Sequence, residues 1–247
     1  EELLARIKQT GWFEDISMTT NGSLLAPRAA KLKELGLNRV NISLDSLDSD
    51  AFALCVGKAN QLDSVLNGIQ SAIDAGFTSV KINTVLSRHW TDDEVRDLLT
   101  YVETWPVIWR FIEYMPFQGD AFHGPTFDEW KAQLERVSGG ILTEIHDVYG
   151  FGPATYYNLP SGKKIGFIFS MSHSYCDTCN RVRLTSDGQM RLCLLRDDEA
   201  DLVSRVRRGL SETELASHIE WALQRKQERH DGVTMDQPER PMWRIGG

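Results

Sequence analysis

The chain has 247 residues, 41% of them hydrophobic and 25% charged, with a net charge of −8. That length suits one large domain or two modest ones, and the composition excludes collagen-like, disordered and coiled-coil classes. The acidic balance gives no support for nucleic acid as the main partner, no apolar run reaches the ~18 residues of a membrane span, and Glu1, Glu2, Arg6 and Lys8 at the start argue against a signal peptide.

Leu3, Leu4 and Ile7 share one face of an amphipathic helix that has no N-cap ahead of it, so a segment upstream of Glu1 is expected. Asp15 to Thr20 then reads as a strand, Pro27 to Leu35 as a helix, Arg39 to Asp45 as a strand and Leu62 to Ala75 as a helix. Val80 to Leu86 follows as a strand, Asp92 to Glu103 as a helix and Ile108 to Met115 as a strand. Strands alternating with helices predict α/β architecture with a parallel sheet. A weak internal repeat agrees: residues 34–42 and 74–82 are each a helix end, a glycine (Gly36, Gly76) and a strand.

Gly119 and Gly124 interrupt the pattern between Pro116 and Pro125, so a boundary is expected there, dividing the chain into residues 1–118 and 119–247. Beyond it, Phe127 to Arg136 reads as a helix, Lys164 to Phe169 and Gln189 to Cys193 as strands, and Glu199 to Arg208 and Glu212 to Glu228 as helices. Residues 231–247 read as irregular.

Alternation within the strands separates two faces. Ile16, Met18, Val40, Ile42, Leu44, Val80 and Ile82 form an apolar set that covering helices can pack on. Ser17, Thr19, Asn41, Ser43, Asp45, Lys81 and Asn83 form the opposite, polar set. Burying the polar set unpaired would be costly. It therefore predicts either a polar, ligand-holding interior or a network in which these groups satisfy one another.

Three of the four cysteines crowd together as Cys176-x2-Cys179-x13-Cys193, a spacing that reads as a metal site in a reducing, cytoplasmic compartment. Zinc would need a fourth ligand, for which His173 or the distant Cys55 would have to be recruited. An iron–sulfur cluster held by three thiolates would keep one iron open. For Cys55 itself, a small buried hydrophobe is the expected role. Beside the cluster, Arg181 and Arg183 point to the same side if their segment is extended, and can grip phosphate oxygens.

In this order, Ser17-Met18-Thr19-Thr20-Asn21-Gly22, Val40-Asn41-Ile42-Ser43-Leu44-Asp45, Val80-Lys81-Ile82-Asn83, Arg110-Phe111-Ile112-Glu113-Tyr114-Met115-Pro116, the segment from Cys176 to Gly188 and the terminal Ile245-Gly246-Gly247 resemble the GTP 3′,8-cyclase family (molybdenum cofactor biosynthesis protein A) of radical S-adenosylmethionine enzymes. The resemblance implies a partial (βα)6 TIM-like barrel, about four of its six units present, and a C-terminal extension with an auxiliary [4Fe–4S] cluster on Cys176, Cys179 and Cys193. It implies GTP contacts from Thr19, Lys81, Arg181 and Arg183, S-adenosylmethionine contacts from Ser43 and Met115, and a tail, Gly246 and Gly247, that enters the active site. The reaction implied forms (8S)-3′,8-cyclo-7,8-dihydroguanosine 5′-triphosphate, which passes to cyclic pyranopterin monophosphate synthase. Neither nucleic acid nor membrane is expected as a partner; a homodimer is allowed. The family's C-x3-C-x2-C, which holds a second [4Fe–4S] cluster, has no counterpart among the 247 residues, so the chain is expected to be a fragment, inactive by itself. Another radical enzyme with an auxiliary cluster, or a zinc-stabilised α/β binding module without catalysis, are the alternatives.

Overall fold

The computed structural model describes residues 1–58, 60–115, 124–146 and 152–228. They fall into two compact units, one of Glu1–Tyr114 with residues 124–172, the other of Met115 with residues 173–228.

In the first unit, helix α1 (Glu2–Thr10) precedes strand β1 (Ser17–Thr20). Then come α2 (Ala29–Glu34), β2 (Arg39–Ser43), α3 (Ser49–Val56), α4 (Leu62–Asp74), β3 (Ser79–Leu86), α5 (Asp92–Thr104) and β4 (Ile108–Glu113). The unit finishes with α6 (Phe127–Ser138), β5 (Thr143–Ile145), β6 (Thr155–Asn158) and β7 (Lys164–Ile168). One seven-stranded sheet runs β1-β2-β3-β4-β7-β6-β5. Every pair from β1 to β7 is parallel, and β6 and β5 add on antiparallel.

Helices α5 and α6 begin with the same device. Thr91 and Thr126 each accept from the backbone N–H three residues on, while Glu94 and Glu129 reach back to the cap. Such a cap contributes about 1 kcal/mol. Val95, Leu98, Leu99 and Val102 of α5, and Val65, Ile69 and Ala72 of α4, bury at helical spacing against Val40, Ile42, Val80 and Ile82 in one core. Trp109 and Phe111 of β4 continue the apolar face, and the Trp109 Nε1–H donates to Thr84 Oγ1 at 2.8 Å. Gly68 of α4 lies so close to the loop after β1 that a Cβ there would sit 2.4 Å from the Gly22 carbonyl oxygen. A glycine is required at that approach.

The second unit holds a three-stranded antiparallel sheet of β8 (Arg183–Leu184), β9 (Gln189–Arg191) and β10 (Glu199–Asp201), ordered β10-β9-β8, with α7 (Val203–Arg207) and α8 (Glu212–Leu223). Its small core is Met190, Leu192, Ala200 and Ala222, with Leu202 and Ile219 against it.

Two expectations need correction. Residues 199–201 are a strand, not the start of a helix, because Glu199 pairs with Arg191 across β9 and β10 in both backbone register and an Arg191–Glu199 ion pair of 2.7 Å. Cys55 is exposed rather than buried: α3, whose presence the sequence reading missed, buries only Phe52. By contacts, residues 124–172 group with the first unit, where β7 pairs with β4.

Candidate functional site

The polar face of the first unit follows from strand register. Thr19 lies opposite Asn41, Asn41 opposite Lys81, Ser43 opposite Asn83, and Asn83 opposite Arg110, which in turn faces Gly166. Arg110 is buried and donates from Nε to Asn83 Oδ1 and from Nη2 to Asn41 Oδ1, both at 2.9 Å. Asn41 passes the chain on, its Nδ2 lying 3.3 Å from Thr19 Oγ1. Room for the guanidinium comes from Gly166, where a Cβ would lie 2.9 Å from both Arg110 Cγ and Tyr156 Cε1. Lys81 is only 1% exposed, with its ammonium 5.9 Å from the centre of the Tyr156 ring. Burial, helped by the Arg110 and Arg39 charges, lowers its pKa to about 8. Burial also pushes the Asp45 carboxyl up, although it accepts the Val85 N–H at 2.8 Å.

Of the residues expected here, Thr19, Ser43 and Lys81 therefore do share one face. The network is tied together by Arg110, which sequence reasoning quoted only within a motif. Its signal was present in the strand period, since Arg110 interrupts an apolar strand two residues from Ile108 and Ile112. Glu113, at the end of β4, is a second omission: its carboxylate accepts the Met171 N–H at 2.6 Å and the Ser172 N–H at 3.0 Å. Met115 is half-buried and belongs with the second unit.

In the second unit a single 3-10 turn, Cys176–Thr178, leads to Cys179, whose N–H closes the turn on the Cys176 carbonyl at 3.0 Å. Arg181 and Arg183 are half-buried while Val182 and Leu184 between and after them are exposed, so the two guanidinium groups share a side as the extended pattern requires. The Arg181 guanidinium lies over the Tyr175 ring at 4.7 Å and its Nη2 is 3.6 Å from Cys179 Sγ. Lys226 Nζ is also 3.6 Å from that sulfur and donates to the Arg181 carbonyl at 2.6 Å. Burial would raise the Cys179 thiol, but the Arg181 N–H and guanidinium and the Lys226 charge outweigh it and hold the thiol below its ordinary value. Burial and the Arg181 charge lower the Arg183 pKa, with Tyr175, Cys193 and Cys179 opposing.

Arg191 is fully buried, ion-paired with Asp197 at 2.8 Å and Glu199 at 2.7 Å, and donates to the Cys193 carbonyl at 3.3 Å. It holds the backbone at Cys193, two residues past the end of β9. Three thiols in one small unit, one of them biased toward thiolate by two cations, fit a metal–thiolate donor set in chemistry. Their arrangement does not complete one: among the described residues no three His, Cys, Asp or Glu side chains are placed to hold a metal ion. Gly246 and Gly247 lie outside the described residues. No helix among the described residues is long and apolar enough to cross a membrane.

Residues 1–102 match the family model of the Radical SAM superfamily, and residues 107–232 match that of Molybdenum Cofactor Synthesis C. A GTP 3′,8-cyclase of Moorella thermoacetica is 40% identical over 238 residues, covering 95% of this chain and 73% of that protein. That of Trichodesmium erythraeum is 42% identical over 100% of this chain and 77% of its own length, and that of Heliobacterium modesticaldum 39% over 99% and 76%.

Proposed function

Because this chain belongs to the GTP 3′,8-cyclase family, radical S-adenosylmethionine enzymes of molybdenum cofactor biosynthesis, we propose that it carries the substrate-binding and auxiliary-cluster part of the conversion of GTP to (8S)-3′,8-cyclo-7,8-dihydroguanosine 5′-triphosphate. The observation that carries this reading is the Cys179 sulfur, 3.6 Å from both Arg181 Nη2 and Lys226 Nζ, with Arg183 on the same side of its strand as Arg181. Cationic side chains beside a thiol are what an iron–sulfur ligand set and an anionic substrate both call for.

In this reading Cys176, Cys179 and Cys193 hold an auxiliary [4Fe–4S] cluster, and Arg181 and Arg183 bind GTP through charge-assisted hydrogen bonds. Lys81 and Thr19 contribute further GTP contacts from the polar face of the sheet, which is the interior of a partial (βα)6 barrel. Lys81 is still mostly protonated at pH 7 and so available to a phosphate, while Arg110 and its asparagines hold the face rigid around it. Ser43 and Met115 contact S-adenosylmethionine, which with its reducing cluster supplies the radical chemistry. The tail glycines Gly246 and Gly247 reach the reacting atoms. No C-x3-C-x2-C occurs in the 247 residues, so by themselves these residues do not start the radical step.

Anaerobic reconstitution with iron and sulfide tests the reading. The wild-type chain is expected to take up both, Cys193→Ser to lose most of the iron, and Cys55→Ser to keep it, Cys55 lying on α3 of the first unit. Zinc uptake without sulfide would return the protein to the class of non-catalytic, zinc-stabilised modules.

A further inference from the structure

We propose that Tyr156 is the positioning residue of Lys81: it leans across Gly166 onto Arg110, holds its ring beside the Lys81 ammonium, and so fixes where on the polar face of the sheet an anion is bound. The proposal rests on the reading above that Lys81 contacts GTP, and it adds to that contact a residue from an antiparallel strand.

The argument starts at register. Gly166 of β7 lies opposite Arg110 of β4 on one side and opposite Tyr156 of β6 on the other, so the three stand in one row on one face. Arg110 and Tyr156 are two strand spacings apart, about 10 Å, and the residue between them has no side chain. Both lean into that gap: a Cβ on Gly166 would come within 2.9 Å of Arg110 Cγ and of Tyr156 Cε1. There the guanidinium donates to the Tyr156 hydroxyl oxygen, beside its bonds to Asn83 and Asn41. The phenol end of Tyr156 is thereby tied to the cation that organises the polar face.

Lys81 meets this arrangement from β3, three strands away from β6 in the sheet. Its stem is buried, and its ammonium lies 5.9 Å from the centre of the Tyr156 ring. The charged groups around it are Arg110 of β4, Arg39 of β2 and Asp15 ahead of β1. Asp15 is engaged by Arg39, whose Nε donates to it at 2.9 Å. Burial and the two arginines work against the ammonium. The electron-rich face of the ring works for it. Tyr156 thus does two things at once: it limits where the ammonium can point, and it keeps that group charged near neutral pH. An anion that needs Lys81 protonated is then held at a place set by the ring, and is released as the pH rises through about 8.

The test uses the 247-residue chain, inorganic triphosphate as the probe, and Tyr156→Phe and Tyr156→Leu, which keep and remove the ring. Calorimetry between pH 6 and 9 reads triphosphate affinity. Carbon-13 resonances of labelled lysine side chains read the Lys81 titration, assigned by the signal that Lys81→Met lacks. Tyr156→Leu is expected to titrate Lys81 at a midpoint lower by about half a pH unit or more, as loss of a desolvated cation–π contact requires, and to bind triphosphate about three- to tenfold more weakly at neutral pH. Tyr156→Phe should keep the wild-type midpoint and lose affinity by a smaller factor, because only the hydroxyl that ties the ring to Arg110 is gone. A tyrosine that merely filled space would lower the melting temperature on truncation without moving the Lys81 midpoint. The proposal is overturned if Tyr156→Leu titrates and binds as wild type does; should that variant fail to fold, Tyr156→Met is judged by the same two readouts. Triphosphate affinity left unchanged by Lys81→Met would overturn the GTP contact of Lys81 itself, so the two failures are told apart by which substitution is silent.

Discussion

Lys81→Met should make the protein more stable at neutral pH and progressively lose that advantage as the pH is raised. The buried ammonium has a pKa of about 8 in the folded chain against an ordinary 10.5. At about 1.4 kcal/mol per pKa unit, folding the charged lysine costs about 3 kcal/mol wherever both states are protonated. The sign follows from proton binding. Between pH 8 and 10.5 the unfolded chain holds the proton that the folded chain has released, so stability rises with pH across that window, and the full cost applies below it. Methionine has similar volume and no charge to desolvate, and the loss of the ammonium's contact with Tyr156, 5.9 Å from the ring centre, offsets only part of the gain. The expected advantage of Lys81→Met is therefore about 1–3 kcal/mol at pH 7, shrinking toward zero or reversing by pH 10. Urea unfolding at pH 7, 8.5 and 10 measures it. A stability difference that does not change with pH would refute the claim that this lysine is held charged at a cost.

Gly166→Ala should lower the melting temperature, since the new methyl would sit 2.9 Å from both Arg110 Cγ and Tyr156 Cε1, and overpacking of this kind costs about 1–3 kcal/mol; an unchanged transition would mean that the Arg110–Asn83–Asn41 network yields easily. Arg183→Ala should weaken GTP binding in calorimetry roughly 10- to 100-fold, the worth of one charge-assisted phosphate contact, and unchanged affinity would remove Arg183 from the site. Deleting Gly246 and Gly247 from a cyclase of the relatives' full length should abolish or severely lower turnover while leaving its melting temperature intact, because two terminal glycines bury almost no apolar area; near wild-type product formation would show the tail to be dispensable.

The alternation of Val40, Asn41, Ile42 and Ser43, and of Val80, Lys81, Ile82 and Asn83, was legible because each strand has helices on one face and polar partners on the other, so the period of two survives in the sequence. Thr91 with Glu94 likewise marks the start of α5 by local chemistry alone. What was lost is what depends on distant residues. Residues 199–201 have ordinary helical character and become a strand only because Arg191 is buried across from them. The short α3 is announced by Asp48, whose carboxylate accepts the Asp50 and Ala51 N–H groups, but it buries only Phe52 and so leaves no apolar period to read. In the second unit, the cysteine spacing and the shared side of Arg181 and Arg183 are local features and are legible in the sequence. Lys226 contacts Cys179 across 47 residues and carries no motif, so only the folded chain brings it there.

The parallel pairing of β4 with β7 bears on how the chain is made. Trp109 to Ile112 meet Ile165 to Ile168, so four hydrogen-bonded positions of the central sheet wait for a segment synthesised more than fifty residues later. At a ribosomal pace of about 5–20 residues per second, that is an interval of several seconds in which the sheet through β4 has helices on its apolar face but an open flank at β4. Closing a loop of this size costs entropy that no local contact repays, and the antiparallel β6–β7 pair, separated by only a short turn, forms far more readily. A β6–β7 hairpin arriving preassembled would seal the flank in one step, and Glu113, gripping the Met171 and Ser172 N–H groups just past β7, is placed to latch it once it arrives.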